Sequence, residues 1–112
     1  MDKIERYRKI IENILTPLTE CHYANAEAVN EAVFDREKDR YLVVTAGWEG
    51  KGHRVYFNLV HLDIINGKVW IQRDGTEEGI GYELEAAGIP KEDIVPAFHP
   101  ANVRIHTGYA AA

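Results

Sequence analysis

The chain has 112 residues, 46% apolar and 28% charged, with a formal net charge of -5, one cysteine and five histidines. That length closes one hydrophobic core, so one domain over residues 1–112 is expected, and the composition excludes disordered and fibrous classes. The acidic balance argues against autonomous binding of nucleic-acid phosphates, and the lone Cys21 rules out an internal disulfide or a thiolate-rich metal site.

Residues 1–8 contain no apolar run of the kind a signal peptide needs, and no stretch approaches bilayer length. A soluble, cytoplasmic protein with no membrane partner is expected. Ile4, Tyr7, Ile10, Ile11, Ile14, Leu15 and Leu18 recur at three- and four-residue spacing, which predicts a helix over about residues 2–16. Asp2 is its expected N-cap, with Glu5 completing a capping box, and Pro17 ends or kinks it. Lys3, Arg6, Lys9, Glu12 and Asn13 form its wet face. Arg6, Arg8 and Lys9 make a small basic cluster there, which is read as a solvated face.

Residues 20–26 read as a connection, 28–34 as a modest strand, and 35–39 as a charged turn. Residues 41–48 and 54–65, rich in β-branched and aromatic side chains, predict two antiparallel strands around the Gly50 and Gly52 loop. Asn66-Gly67 is the sharpest local signal. A type I′ turn needs positive φ at both central positions, which this dipeptide tolerates best. A two-residue loop pairs Ile65 with Lys68, Ile64 with Val69, Asp63 with Trp70, Leu62 with Ile71 and His61 with Gln72. Val60, Leu62, Ile64, Val69 and Ile71 then face the core, and His61, Asp63, Trp70, Gln72 and Asp74 share the opposite face. Asp74 and Glu77 stand in capping-box relation before a second helix ending near Ala87, with Gly88 as a left-handed stop and Pro90 blocking resumption. The remainder, with Pro96 and Pro100, reads as an irregular, partly mobile tail. The expected class is α+β: an N-terminal helix, an antiparallel sheet of about four strands in hairpins, a second helix and an irregular C-terminal segment.

The face bearing His61, Asp63, Trp70, Gln72 and Asp74 is the candidate interaction face. A His beside carboxylates suits a general base or a pair of metal ligands, but alternation across a sheet with one wet face produces the same pattern. Glu49-Gly50-Lys51, with Asp35 or Asp39 upstream, resembles the end of some nuclease metal sites, yet it falls in a turn between glycines. The histidines at 22, 53, 61, 99 and 106 lack zinc spacing, and Gly75, Gly79 and Gly81 match neither a dinucleotide nor a P-loop pattern. Trp48, Tyr56, Phe57 and Trp70 are candidates for an exposed aromatic platform. No catalytic residue, metal ligand or cofactor is assigned.

Four blocks carry a family resemblance: MDKIERYRKII at residues 1–11, HLDIINGKVWIQ at 61–72, DGTE at 74–77, and GIPKEDIV at 88–95 with Phe98-His99 beyond. Together they resemble the XisI family, the fdxN element excision controlling factor proteins of cyanobacteria, over nearly the whole chain. The resemblance implies an accessory control factor in developmentally regulated, site-specific excision of a DNA element, in cells differentiating into heterocysts. A separate recombinase would cut and join DNA. It also implies protein binding rather than catalysis, with a XisH-type partner, and a homo-oligomer is compatible with it. The competing readings are a metal-dependent nucleic-acid enzyme using Glu49 and Lys51 or the His61, Asp63 and Asp74 group, and a direct DNA-binding subunit of an excision complex.

Overall fold

A computed structural model of the chain describes residues 2–20 and 26–112. Cys21, His22 and most of the expected connection lie outside the described residues. The first helix, α1 (Lys3–Leu15), begins where Asp2 Oδ1 accepts the Glu5 backbone N–H at 2.8 Å. Only that half of the expected capping box forms, because the Glu5 carboxylate turns outward to Arg36 and Arg8. Beyond α1 the chain tightens into a 3₁₀ turn, Thr16–Glu20, containing Pro17.

Four strands follow in hairpins: β1 (Ala26–Asp35), β2 (Arg40–Glu49), β3 (His53–Ile65) and β4 (Lys68–Asp74). The helix α2 (Ile80–Ala86) comes next, then a two-residue strand β5 (Ile94–Val95) and a short helix α3 (Ala101–Arg104). The sheet order is β1-β2-β3-β4-β5, with the first four strands antiparallel and β5 added parallel to β4. The α+β architecture is the expected one, enlarged by that fifth strand. Asn66 and Gly67 adopt φ of 51° and 77°, as the type I′ turn demands.

Two irregularities bend this sheet. Between β2 and β3 the register shifts past Leu59, and between β3 and β4 it shifts past Gln72. The expected pairs from Ile65–Lys68 to Leu62–Ile71 form, but His61 stands opposite Arg73 instead of Gln72. An extra residue in one strand leaves one position unpaired and reverses the in–out order beyond it. Asp74 therefore lies opposite Val60, a core position.

The core lies between one sheet face and the helices. Tyr7, Ile11 and Leu15 of α1 and Ile80 and Leu84 of α2 bury themselves against Tyr41, Val43, Val60, Leu62 and Ile71. Burial of apolar area at about 25 cal/mol per Å² is the main stabilising contribution here. Polar links tie α1 down. Arg8 grips Asp39 with two nitrogens at 2.7 and 3.1 Å, and the Tyr41 hydroxyl donates to the same carboxylate at 2.9 Å. That accounts for one member of the basic cluster near the amino end. Tyr7 donates its hydroxyl to Asp93, which Lys3 also contacts; burial first and then this carboxylate push the Tyr7 phenol up to about 12. The helix α2 ends as expected, with Gly88 at φ 108° and Ile89 N–H bonded to the Leu84 carbonyl, a Schellman closure.

Candidate functional site

The face of the sheet away from the helices carries alternate residues of β1 to β4, and the register sets which ones. From β1 come Glu27, Val29, Glu31 and Val33, and from β2 Leu42, Val44, Ala46 and Trp48. From β3 come Arg54, Tyr56, Asn58, His61 and Asp63, and from β4 Trp70 and Gln72. Val29, Val33, Trp48 and Tyr56 are more than half exposed, at 56, 52, 52 and 67%. Single exposed apolar residues are ordinary, but four on one sheet face mark a surface suited to another molecule.

Of the sequence-predicted interaction residues, the structure gathers three tightly. His61 Nε2 lies 2.8 Å from Asp63 Oδ1, and Gln72 Nε2 donates to Asp63 Oδ2 at 3.2 Å. Gln72 reaches Asp63 because it stands two positions from Trp70, the direct partner of Asp63. Trp70 sits on the same face, where the Arg104 guanidinium lies 5.8 Å from its ring centroid. Such a stack suits a partly desolvated cation–π contact. Arg104 in turn donates to the carbonyls of His99 and Ala111, and Ala110 N–H bonds to the Ile94 carbonyl. The tail expected to be irregular and loose is thus held against β5 and folded over Trp70.

Asp74 leaves this group. The shift past Gln72 turns it to the helix side, where Oδ1 accepts the Thr76 N–H and hydroxyl and Oδ2 accepts the Ile80 N–H at 2.8 Å. The helix-starting role foreseen for Asp74 is real, but its reach is six residues. Gly75 continues the ladder by bonding to the Leu59 carbonyl, and α2 starts only after Gly79 at φ 90°. Replacing Asp74 with Ala removes three acceptor contacts at that junction. We expect a loss of about 2 kcal/mol, measured by urea unfolding, with Asn recovering part of it.

Asp74 also lines a cleft of about 190 Å³ between α2 and the C-terminal segment, together with Tyr82, Phe98, His99 and Tyr109. The Tyr109 hydroxyl donates to Glu85; burial and then that carboxylate push its pKa well above the usual phenol value. This cleft was missed from sequence, because its walls come from residues 71–109 and only tertiary folding joins them.

The aromatic candidates divide. Trp48 and Tyr56 flank the Arg54 guanidinium, which lies 5.1 Å from the Trp48 ring and 5.9 Å from the Tyr56 ring. Phe57 pairs with Thr45 and so points to the opposite face. Glu49 and Lys51 lie at the β2–β3 tip, whereas Asp35 and Asp39 flank the turn at the other end of β2, nine residues along and roughly 30 Å away. The grouping needed for a nuclease-like site is not assembled from them. Among the described residues no three His, Cys, Asp or Glu side chains cluster as a metal would require. Nor is any helix of the described residues long and apolar enough to cross a membrane.

These features define a small α+β sheet protein with helices on one face and an open, aromatic-bearing face on the other. A family model described as XisI protein matches residues 1–111, so the chain belongs to the XisI family. Two solved structures from Anabaena variabilis ATCC 29413 superpose on it. One, a XisI-like protein, has a TM-score of 0.85 and 29% identity, covering 97% of this chain and 99% of its own. The other, described as the fdxN element excision controlling factor XisI, has a TM-score of 0.84 and 35% identity, with 99 and 100% covered. No curated protein matches the chain.

Proposed function

We propose that this chain is an accessory control factor for excision of a DNA element of the fdxN type, acting in the cytoplasm by binding protein and not by catalysis. Family membership and the likeness to the Anabaena excision controlling factor support the excision role. The observation that carries the binding role is the open sheet face, where Val29, Val33, Trp48 and Tyr56 expose apolar surface beside Arg54. Aromatic residues with a stacked arginine are the side chains that dominate protein interfaces.

The hetero-partner in this reading is a XisH-type protein, and the setting is a cyanobacterial cell committed to heterocyst formation. Co-expression and co-purification with the XisH-type protein of the same genome tests it. Co-elution at micromolar concentration is expected; separate elution there removes the partner. Incubating the purified chain with duplex DNA and Mg²⁺ or Mn²⁺ tests the other half. Strand cleavage that tracks the protein would overturn the non-catalytic reading.

A further inference from the structure

The cleft between α2 and the C-terminal segment holds about 190 Å³, far more than one water needs and less than the roughly 300 Å³ at which pockets for drug-sized ligands begin. It has room for a headgroup and not for a large molecule. Three aromatic side chains line it, Tyr82, Phe98 and Tyr109. Two glycines let the tyrosines lie against backbone: a Cβ on Gly79 would sit 3.1 Å from Cδ2 of Tyr82, and one on Gly81 would sit 3.3 Å from the Tyr109 hydroxyl oxygen. Among the described residues no lysine or arginine lines the cleft. Its one base is His99, and a histidine brings no fixed positive charge.

The surroundings are negative. From Asp74 to Pro90 the chain carries five carboxylates, Asp74, Glu77, Glu78, Glu83 and Glu85, and no lysine or arginine. Among the described residues only Glu85 of these belongs to an ion pair, with Lys91 at 3.7 Å. Lys91 Nζ also lies 6.0 Å from the Tyr109 ring centroid, at the limit of cation–π contact, and is not part of the lining. Burial first, then Glu78 and Asp74, push the Glu83 carboxyl above its ordinary value, as a negative field must. The positive end of α2 does not reverse that sign, because Asp74 Oδ2 accepts the Ile80 N–H there.

We infer that this cleft is a binding site for a quaternary ammonium group, held by the rings of Tyr82, Phe98 and Tyr109 beside the Asp74 carboxylate. The inference goes beyond the protein-binding reading and is independent of it, since the cleft lies on the helix side of the sheet and not on the open face. Aromatic rings attract cations electrostatically, and most strongly where water is excluded. The hydrogen bonds already made in the lining select among cations. Asp74 accepts three, Thr107 Oγ1 donates to the Arg104 carbonyl and accepts the Tyr109 N–H, and the Tyr109 hydroxyl donates to Glu85. That leaves the Tyr82 hydroxyl and the His99 ring as the main uncommitted acceptors. A guanidinium brings five N–H donors and a primary ammonium three, and donors taken from water without partners are costly. A trimethylammonium group has no donor to lose, and its methyl groups pack on the rings. Such a group is carried by free solutes of choline type and by trimethylated lysine side chains.

An NMR titration of the full, ¹⁵N-labelled chain with choline tests the inference. Saturable amide shifts are expected at Gly79, Gly81, His99 and Thr107. Dimethylbutanol, the uncharged carbon isostere of choline, should bind about tenfold more weakly, because only the charge distinguishes the two. Tyr82→Leu should weaken choline binding about fivefold, whereas Tyr82→Phe keeps the ring and the affinity. Tyr82 is 71% exposed, and the amide spectrum verifies that each variant is folded. An absence of saturable shifts, equal affinity for the isostere, or a Leu variant as tight as wild type overturns the inference. A trimethyllysine peptide and its unmethylated counterpart separate the sources. A methylated peptide that binds more tightly than choline identifies a partner's side chain, one that binds no more tightly identifies a free solute, and both support the site. An unmethylated peptide that binds as well as the methylated one overturns the assignment to a quaternary group.

Discussion

Replacing Gly47 with alanine is expected to destabilise the fold by about 3 kcal/mol, near the upper end of ordinary overpacking costs. Gly47 pairs with Ala28 across β1 and β2. A Cβ placed on it would lie 2.1 Å from the Glu27 carbonyl oxygen and 2.4 Å from the Ala28 Cα. Both are backbone atoms, so no rotamer change relieves the clash. β1 must move away from β2, and among the described residues it has no strand on its other side to hold it. Gly52 supplies the contrast: its φ is 85°, but a Cβ there meets nothing within 4 Å. Gly52→Ala should therefore cost only about 1 kcal/mol, through backbone strain alone. Urea unfolding of the two variants decides the matter. A Gly47→Ala loss no larger than that of Gly52→Ala would contradict the close β1–β2 approach.

Gly47 also shows where sequence reading runs out. In the chain it is one glycine inside a β-rich run, and nothing local says that another backbone crosses within contact distance. Asn66-Gly67 is the opposite case, since a turn with two positive φ values is a local demand met by local residues. The helix α1 and its capping Asp2, the inward set from Val60 to Ile71, and the Gly88 stop were legible for the same reason. The bulges were not. Neither Leu59 nor Gln72 carries a glycine or proline that would mark an insertion, so perfect alternation was extended one step too far. That single step misplaced Asp74 and put His61 opposite the wrong residue. Trp70 was rightly placed on the wet face, but its cover, Arg104, comes from a segment whose packing depends on the two-residue pairing of Val69 and Trp70 with β5. A strand that short has no periodicity to read. Trp48 and Tyr56 of the open face were legible only as candidate aromatics, because their company with Val29 and Val33 depends on the β1–β2 register, which no local turn signal fixes.

Tyr41→Ala is expected to cost about 4 kcal/mol and Tyr41→Phe about 1 kcal/mol, the difference being the buried ring and the remainder the hydroxyl. Tyr41 is fully buried, and its ring packs tilted against Phe34 with centroids 5.8 Å apart. Its hydroxyl donates to Asp39, the carboxylate that Arg8 grips from α1. The paired hydrogen bonds of Arg8 hold the Asp39 carboxyl below the ordinary range, with Tyr41 adding to the effect and burial opposing it. A carboxylate depressed in the folded state contributes stability above its unfolded pKa of about 4, and that contribution is lost as pH falls through the folded value. Removing the hydroxyl moves the folded value back toward the unfolded one. Tyr41→Phe should thus lose less stability than wild type between pH 7 and pH 3, although it starts lower. At alkaline pH the phenol itself adds the reverse dependence. Burial first and Asp39 second push the Tyr41 hydroxyl above its usual value, so its contribution is complete below about pH 10 and lost above it. The Phe variant lacks that loss and should show a flatter alkaline limb. Urea midpoints at pH 3, 7 and 10.5 test both limbs, and equal acid losses in the two proteins would mean that the hydroxyl does not support the Arg8–Asp39 clasp.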